Sequence, residues 1–117
     1  MEKLFEILFL DEAFNYLNSL DRKHYEKILY NIRKVQWGQD PDLFKKLQDE
    51  IWEFRTLYSG IQHRLLAFWD QTDSKNTLVI STHGFIKKKS KVPGNEIKKA
   101  KELRIMYFED QLIAKTL

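Results

Sequence analysis

Ile51-Trp52-Glu53-Phe54-Arg55-Thr56-Leu57-Tyr58-Ser59-Gly60-Ile61-Gln62-His63-Arg64-Leu65-Leu66-Ala67-Phe68-Trp69 decides the fold. Two runs of aromatic and branched residues flank a Ser-Gly pair, the pattern of antiparallel strands joined by a tight reversal. Side chains alternate faces along a strand, so Trp52, Phe54 and Tyr58 share one side while Glu53, Arg55 and Leu57 share the other. On the returning strand Gln62, Arg64, Leu66 and Phe68 stand together, opposite Ile61, His63, Leu65, Ala67 and Trp69. Register decides whether Arg55 and Arg64 meet.

Beyond this hairpin, residues 70–76 read as a polar loop and residues 77–85 as a third strand of the meander. Upstream, residues 4–10 carry enough Phe, Ile and Leu for a first strand buried on both faces or nearly so. Asp11 is placed to cap a short helix with Ala13, Phe14, Leu17 and Leu20 at helical spacing, and Ser19 or Asp21 to cap a second. In that second helix Tyr25, Ile28, Leu29, Ile32 and Val35 form one apolar stripe, and His24 falls among the polar positions with no role assigned. Gly38 ends it as a left-handed cap. After the Gly38 to Asp42 loop, Phe44-Lys45-Lys46-Leu47 leads into the strand at Ile51. Pro93-Gly94-Asn95 opens a last helix from about Glu96, with Ile97, Ala100, Leu103 and Tyr107 on one face. Ile105-Met106-Tyr107-Phe108 is apolar all round, suited to docking on the core or on a partner.

The chain has 117 residues, 43% hydrophobic and 32% charged. That is the size and balance of one domain spanning residues 1–117, with a modest core. No cysteine is present, which removes disulfides and thiolate metal sites and fits a reducing cytoplasm. The N-terminus lacks the basic start and long apolar core of a signal peptide. No run approaches the roughly 18 apolar residues of a membrane span. The expectation is a cytoplasmic protein with no membrane partner.

Charge is distributed unevenly. Residues 85–104 hold eight Lys/Arg against Glu96 and Glu102, a local charge of +6, whereas the whole chain carries +3. Such a concentration suits a polyanion or an acidic protein segment. Arg55 and Arg64 with Lys87 and Lys88 would form a phosphate-binding floor, because a guanidinium offers a planar fork to phosphate oxygens. The competing readings are an ion pair of Arg55 with Glu53, a solvated strand end at Lys87, Lys88 and Lys89, and a solvated helix face for the later lysines. His83, next to Gly84 near the lysines, has the ordinary pKa of a proton carrier, although a structural role competes. His63 is either a strand surface residue or part of the site. The histidines are too scattered for a metal centre, and glycines at 38, 60, 84 and 94 make no phosphate-cradling loop.

Several segments in this order resemble the RelE/HigB superfamily of type II toxin–antitoxin toxins, in its phage-derived HigB-like branch. They are Phe44-Lys45-Lys46-Leu47, Ile51-Trp52-Glu53-Phe54-Arg55, His63-Arg64-Leu65-Leu66-Ala67-Phe68, and His83-Gly84-Phe85-Ile86-Lys87-Lys88-Lys89, followed by Val92-Pro93 and Glu96-Ile97. The resemblance implies an α+β fold, a twisted antiparallel sheet in the order β-α-α-β-β-β-α, with an N-terminal helical hairpin and a C-terminal helix. It also implies a metal-independent and cofactor-free endoribonuclease that cuts mRNA on the ribosome, neutralised by a helix-turn-helix, HigA-like antitoxin. By carry-over, Arg55 and Arg64 match the basic sheet positions of the pattern and Lys87 and Lys88 its basic strand-end positions; for RNA cleavage Arg55, Arg64 and Lys87 or Lys88 would stabilise charge, His83 and Glu53 are candidate bases, and Lys88, Lys89 and Lys91 are the candidate RNA-binding residues. Two non-nuclease alternatives share the scaffold: a ParE-like gyrase inhibitor and an inactive phage-derived protein that still binds an antitoxin.

Overall fold

A computed structural model describes residues 2–73 and 77–117. Its elements are β1 (Glu6–Phe9), α1 (Asp11–Asn18), α2 (Arg22–Gln36), a 3-10 turn at Pro41–Leu43, β2 (Phe44–Gln48), β3 (Ile51–Tyr58), β4 (Ile61–Asp70), β5 (Leu78–Ile86) and α3 (Gly94–Thr116). The strands form one sheet in the order β1-β5-β4-β3-β2. The α+β class, the N-terminal helical hairpin and the C-terminal helix agree with expectation; the sheet differs from the expected four-strand antiparallel one in two ways. Phe44-Lys45-Lys46-Leu47 forms a strand of its own, paired antiparallel to β3. The sheet is also mixed, because β1 runs parallel to β5. The part of the loop at residues 74–76 lies outside the described residues.

Local chemistry accounts for the boundaries. Ser59 and Gly60 both have positive φ, +50° and +78°, the backbone of the two-residue turns whose twist matches that of a hairpin. Gly38 closes α2 at φ +76°; its N–H donates to Val35 O at 3.0 Å and that of Gln39 to Lys34 O at 2.8 Å. The caps differ from expectation. Leu10, not Asp11, takes the N-cap position of α1, and neither it nor Asp21 at the start of α2 makes a side-chain capping bond. Asp11 and Glu12 instead place negative charge in the first turn of α1, where the helix dipole favours it. Strand β1 is shorter than residues 4–10 and is an edge, with Leu8 exposed rather than enclosed.

The sheet divides two cores. Against the α1–α2 hairpin it buries Phe44, Phe54, Leu65, Ala67 and Val79 with Ala13, Leu17, Ile28, Ile32 and Val35. Aromatic rings dominate that layer: Phe44 and Phe54 stack with centroids 4.2 Å apart, and Phe5 meets Trp69 edge-on at 5.4 Å. Against α3 it buries Ile51, Leu66, Phe68 and Ile80 with Ala100. Tyr107 and Phe108 dock there on Phe68 at 5.4 and 5.6 Å, whereas Ile105 and Met106 face outward. Gly84 is required by packing. A Cβ at this position would lie 2.4 Å from Cδ2 of Tyr16 and 2.7 Å from Cδ2 of Leu65. Among the described residues no helix is long and apolar enough to cross a membrane.

Candidate functional site

The hairpin register places Arg55 directly opposite Arg64, and Arg64 opposite Phe85 on the next strand. One row further along, Glu53, Leu66 and His83 line up in the same way. All belong to the face that carries α3, because Leu66 packs with Ala100. Strand β5 reaches this arrangement through an irregularity: Leu66 pairs with His83 but Ala67 with Ser81, so Thr82 is an extra residue. Strict alternation from Ile80 would have turned His83 towards the α1–α2 hairpin. The bulge resets the phase, so that Ile80, His83 and Phe85 share the arginine face.

Arg64 is 4% exposed, and its Nε lies 2.9 Å from Oε1 of Glu53. These two atoms have no aligned hydrogen bond, so the contact is chiefly electrostatic. Nη1 donates to His63 O and Nη2 to Oε1 of Gln62, both at 3.0 Å. Burial pulls the guanidinium below its ordinary value; Glu53 opposes this and the neighbouring Arg55 adds to it. Glu53 is therefore the partner of Arg64 rather than of Arg55. Arg55 is half-buried with no carboxylate within ion-pair distance among the described residues. The Lys87 N–H donates to Gln62 O at 2.8 Å, extending the ladder one residue past β5 and putting Lys87 beside the arginine row. Lys88, Lys89 and Lys91 follow outside the sheet, exposed and without an ion-pair partner among the described residues.

His83 is 3% exposed. Its Nε2 is 3.0 Å from Oε1 of Glu96 and its Nδ1 is 3.0 Å from Oγ1 of Thr82. Burial holds its pKa below the usual imidazole value even though Glu96 pulls the other way. In the neutral ring Nε2–H donates to the carboxylate and Nδ1 accepts from the threonine hydroxyl. Glu96, on the first turn of α3, is 24% exposed and gives this pair its route to solvent. The sequence alone assigns Glu96 no role; its place three residues after Pro93, on the turn that opens α3, is the signal that points to it.

His63 lies on the opposite face. Its Nδ1 is 2.7 Å from the Tyr16 hydroxyl and its Nε2 is 2.9 Å from Nδ1 of His24, whose ring meets Tyr58 edge-on at 4.8 Å. His24 is therefore not on the polar side of α2. It sits four residues before Ile28, one turn back along the buried stripe, and this spacing could have identified it. Desolvation, then His24, lowers the pKa of His63, and burial pushes the Tyr16 hydroxyl up to about 12. Among the described residues no group of three or more His, Asp or Glu side chains is placed to hold a metal ion.

Residues 15–108 match a family described as phage derived protein Gp49-like (DUF891), a span that includes every residue of both clusters. No curated protein matches the sequence.

Proposed function

We infer the function from one premise: this chain belongs to the phage-derived Gp49-like family, and with it to the RelE/HigB-like toxins. We propose that it is the toxin of a type II toxin–antitoxin system of the HigB-like kind, a metal-independent endoribonuclease acting on mRNA at the ribosome. The observation that carries this reading is the cross-strand pair Arg55 and Arg64, from which the unpartnered Lys87, Lys88, Lys89 and Lys91 lead outward. In RNA cleavage the 2′-oxygen bonds to phosphorus as the P–O5′ bond breaks, and negative charge builds on the phosphoryl oxygens. Arg55 and Lys87 meet that charge directly. Arg64 adds field from beneath, held in place by Glu53 and Gln62. The 2′-hydroxyl proton goes to the His83–Glu96 pair, in which Glu96 is the accessible end and His83 orients it, and the departing 5′-oxygen takes its proton from solvent water. Positioning of the mRNA is left to the ribosome, and this supplies the orientation that an open sheet face lacks.

The cytoplasmic partner is a helix-turn-helix, HigA-like antitoxin whose acidic segment covers the Lys87 to Lys91 end. Affinity of the complex falls as salt rises. A second reading, a non-nuclease gyrase inhibitor or an inert antitoxin-binding protein, draws on the burial and prior engagement of Arg64, Glu53 and His83.

A cleavage assay on translating ribosomes decides. Arg55→Ala and Lys87→Ala each lower the cutting rate by about 10²-fold to 10³-fold, the scale of losing one preorganised charge donor. Intact mRNA together with arrested gyrase sinks the nuclease reading, and harmless accumulation without antitoxin favours the inert one.

A further inference from the structure

Helix α2 carries a second concentration of positive charge, remote from the arginine face. Its sequence holds Arg22, Lys23, Lys27, Arg33 and Lys34 against the single acid Glu26. Arg22 is neutralised by Glu26 at 2.7 Å and Lys34 approaches Asp40 at 3.7 Å. Lys23, Lys27 and Arg33 have no carboxylate partner among the described residues. Among them stands Tyr30, 53% exposed, with the ammonium groups of Lys27 and Lys34 lying 5.1 and 5.4 Å from its ring centre. Lys23, Lys27, Tyr30 and Arg33, with Glu26, Leu29 and Tyr58, line a cleft of about 620 Å³.

Position gives the cleft its meaning. Tyr58 is the last residue of β3, and its ring packs on His24 near the start of α2. The cleft therefore opens at the Ser59–Gly60 end of the sheet, where the Lys87 N–H meets Gln62 O. Cations run from Lys87 to Lys91 on one side of this end to Lys23 and Lys27 on the other.

We infer that the outer face of α2 is a single-stranded RNA-binding surface, with phosphates on Lys23, Lys27 and Arg33 and a base stacked on Tyr30. An exposed aromatic ring among unpaired cations suits a strand whose bases all present π faces. An acidic protein partner fits less well, because Tyr30 is the only large apolar side chain exposed on this helix and a protein interface needs an apolar centre. The inference rests on the reading of RNA as substrate and extends it: the strand leaving the arginine face continues around the sheet end onto α2.

The test uses the full chain and a 12-nucleotide unstructured RNA methylated at every 2′-oxygen, which cannot be cut. Fluorescence anisotropy across a salt series gives affinity and slope. In Lys23→Gln/Lys27→Gln/Arg33→Gln the slope of log K against log salt falls in magnitude by about 2, since each single-strand phosphate contact contributes about 0.7. Tyr30→Ala weakens binding about tenfold at constant slope, and Tyr30→Phe retains it. Far-ultraviolet circular dichroism confirms that each variant keeps its helices. Unchanged affinity and slope in the triple variant overturns the inference, as does tighter binding of a polyglutamate peptide than of the RNA. Cleavage on ribosomes with these binding results unchanged leaves the nuclease standing and removes the α2 surface. RNA binding through α2 without cleavage does the reverse.

Discussion

The two faces of the sheet are built on opposite principles. The hairpin face is an aromatic and aliphatic layer in which Phe5, Phe44, Phe54 and Trp69 touch one another, and its polar members are paired among themselves, Tyr16 with His63 and His63 with His24, and Asn31 with Thr56. The α3 face buries charge in Arg64 against Glu53 and sets the neutral His83 ring against the partly exposed Glu96 carboxylate. Burying apolar area stabilises a fold directly, whereas a buried ion pair offsets its own desolvation at best. The first face holds the protein together, and the second retains charge at some cost to stability, which is the arrangement a polyanion-handling surface needs.

Substitutions break or sharpen this contrast. The largest loss is expected from Phe54→Ala, which opens a hole in the aromatic layer and costs about 3–5 kcal/mol; urea unfolding measures it, and a loss under 1 kcal/mol would move the stabilising core elsewhere. On the other face, Arg64→Met strands Glu53 in the interior and costs about 3 kcal/mol. The double change Arg64→Met with Glu53→Leu restores stability to within about 1 kcal/mol of the parent. A double variant as unstable as the single one contradicts the claim that this pair is kept for its charge. Gly84→Ala, by forcing the Tyr16 ring off β5, costs about 1–3 kcal/mol.

The smallest effect is that of pH, and it touches both faces. His63 and His83 have folded pKa values below their unfolded one near 6.5, so their contribution to stability is complete above that value. As pH falls from about 6.5 towards the folded values, the unfolded chain binds protons that the native state refuses, and up to about 1.4 kcal/mol is lost per unit per histidine. The urea midpoint therefore drops between pH 7.5 and pH 5.5. The drop shrinks in His63→Gln; a midpoint that rises on acidification contradicts the assignment.

Much of the arginine face is legible in the sequence. Alternation put Arg55 and Glu53 on one side of β3 and Arg64 on one side of β4. The turn supplies the rest: a two-residue loop at Ser59-Gly60 sets Tyr58 opposite Ile61, and counting three back sets Arg55 opposite Arg64. Strand β5 did not yield to this logic, because a bulge at Thr82 depends on long-range pairing and has no local signature. His24 reads as a polar-face residue because histidine is polar, although its spacing from Ile28 and Ile32 is that of a core residue. The direction of β1 was illegible for a related reason. Nothing within residues 4–10 says which distant strand they will join.

That last pairing shapes how the chain comes into being. Glu6 sits beside Leu78, so the first strand made is seated against the last, roughly seventy residues later. Closing so long a loop is entropically unfavourable and waits until the β3–β4–β5 meander has formed a platform. During its own synthesis, then, the polypeptide remains an incomplete sheet with a loose N-terminal segment until β5 has left the ribosomal tunnel. Assembly of the arginine row with His83 correspondingly waits for β5 to join β4.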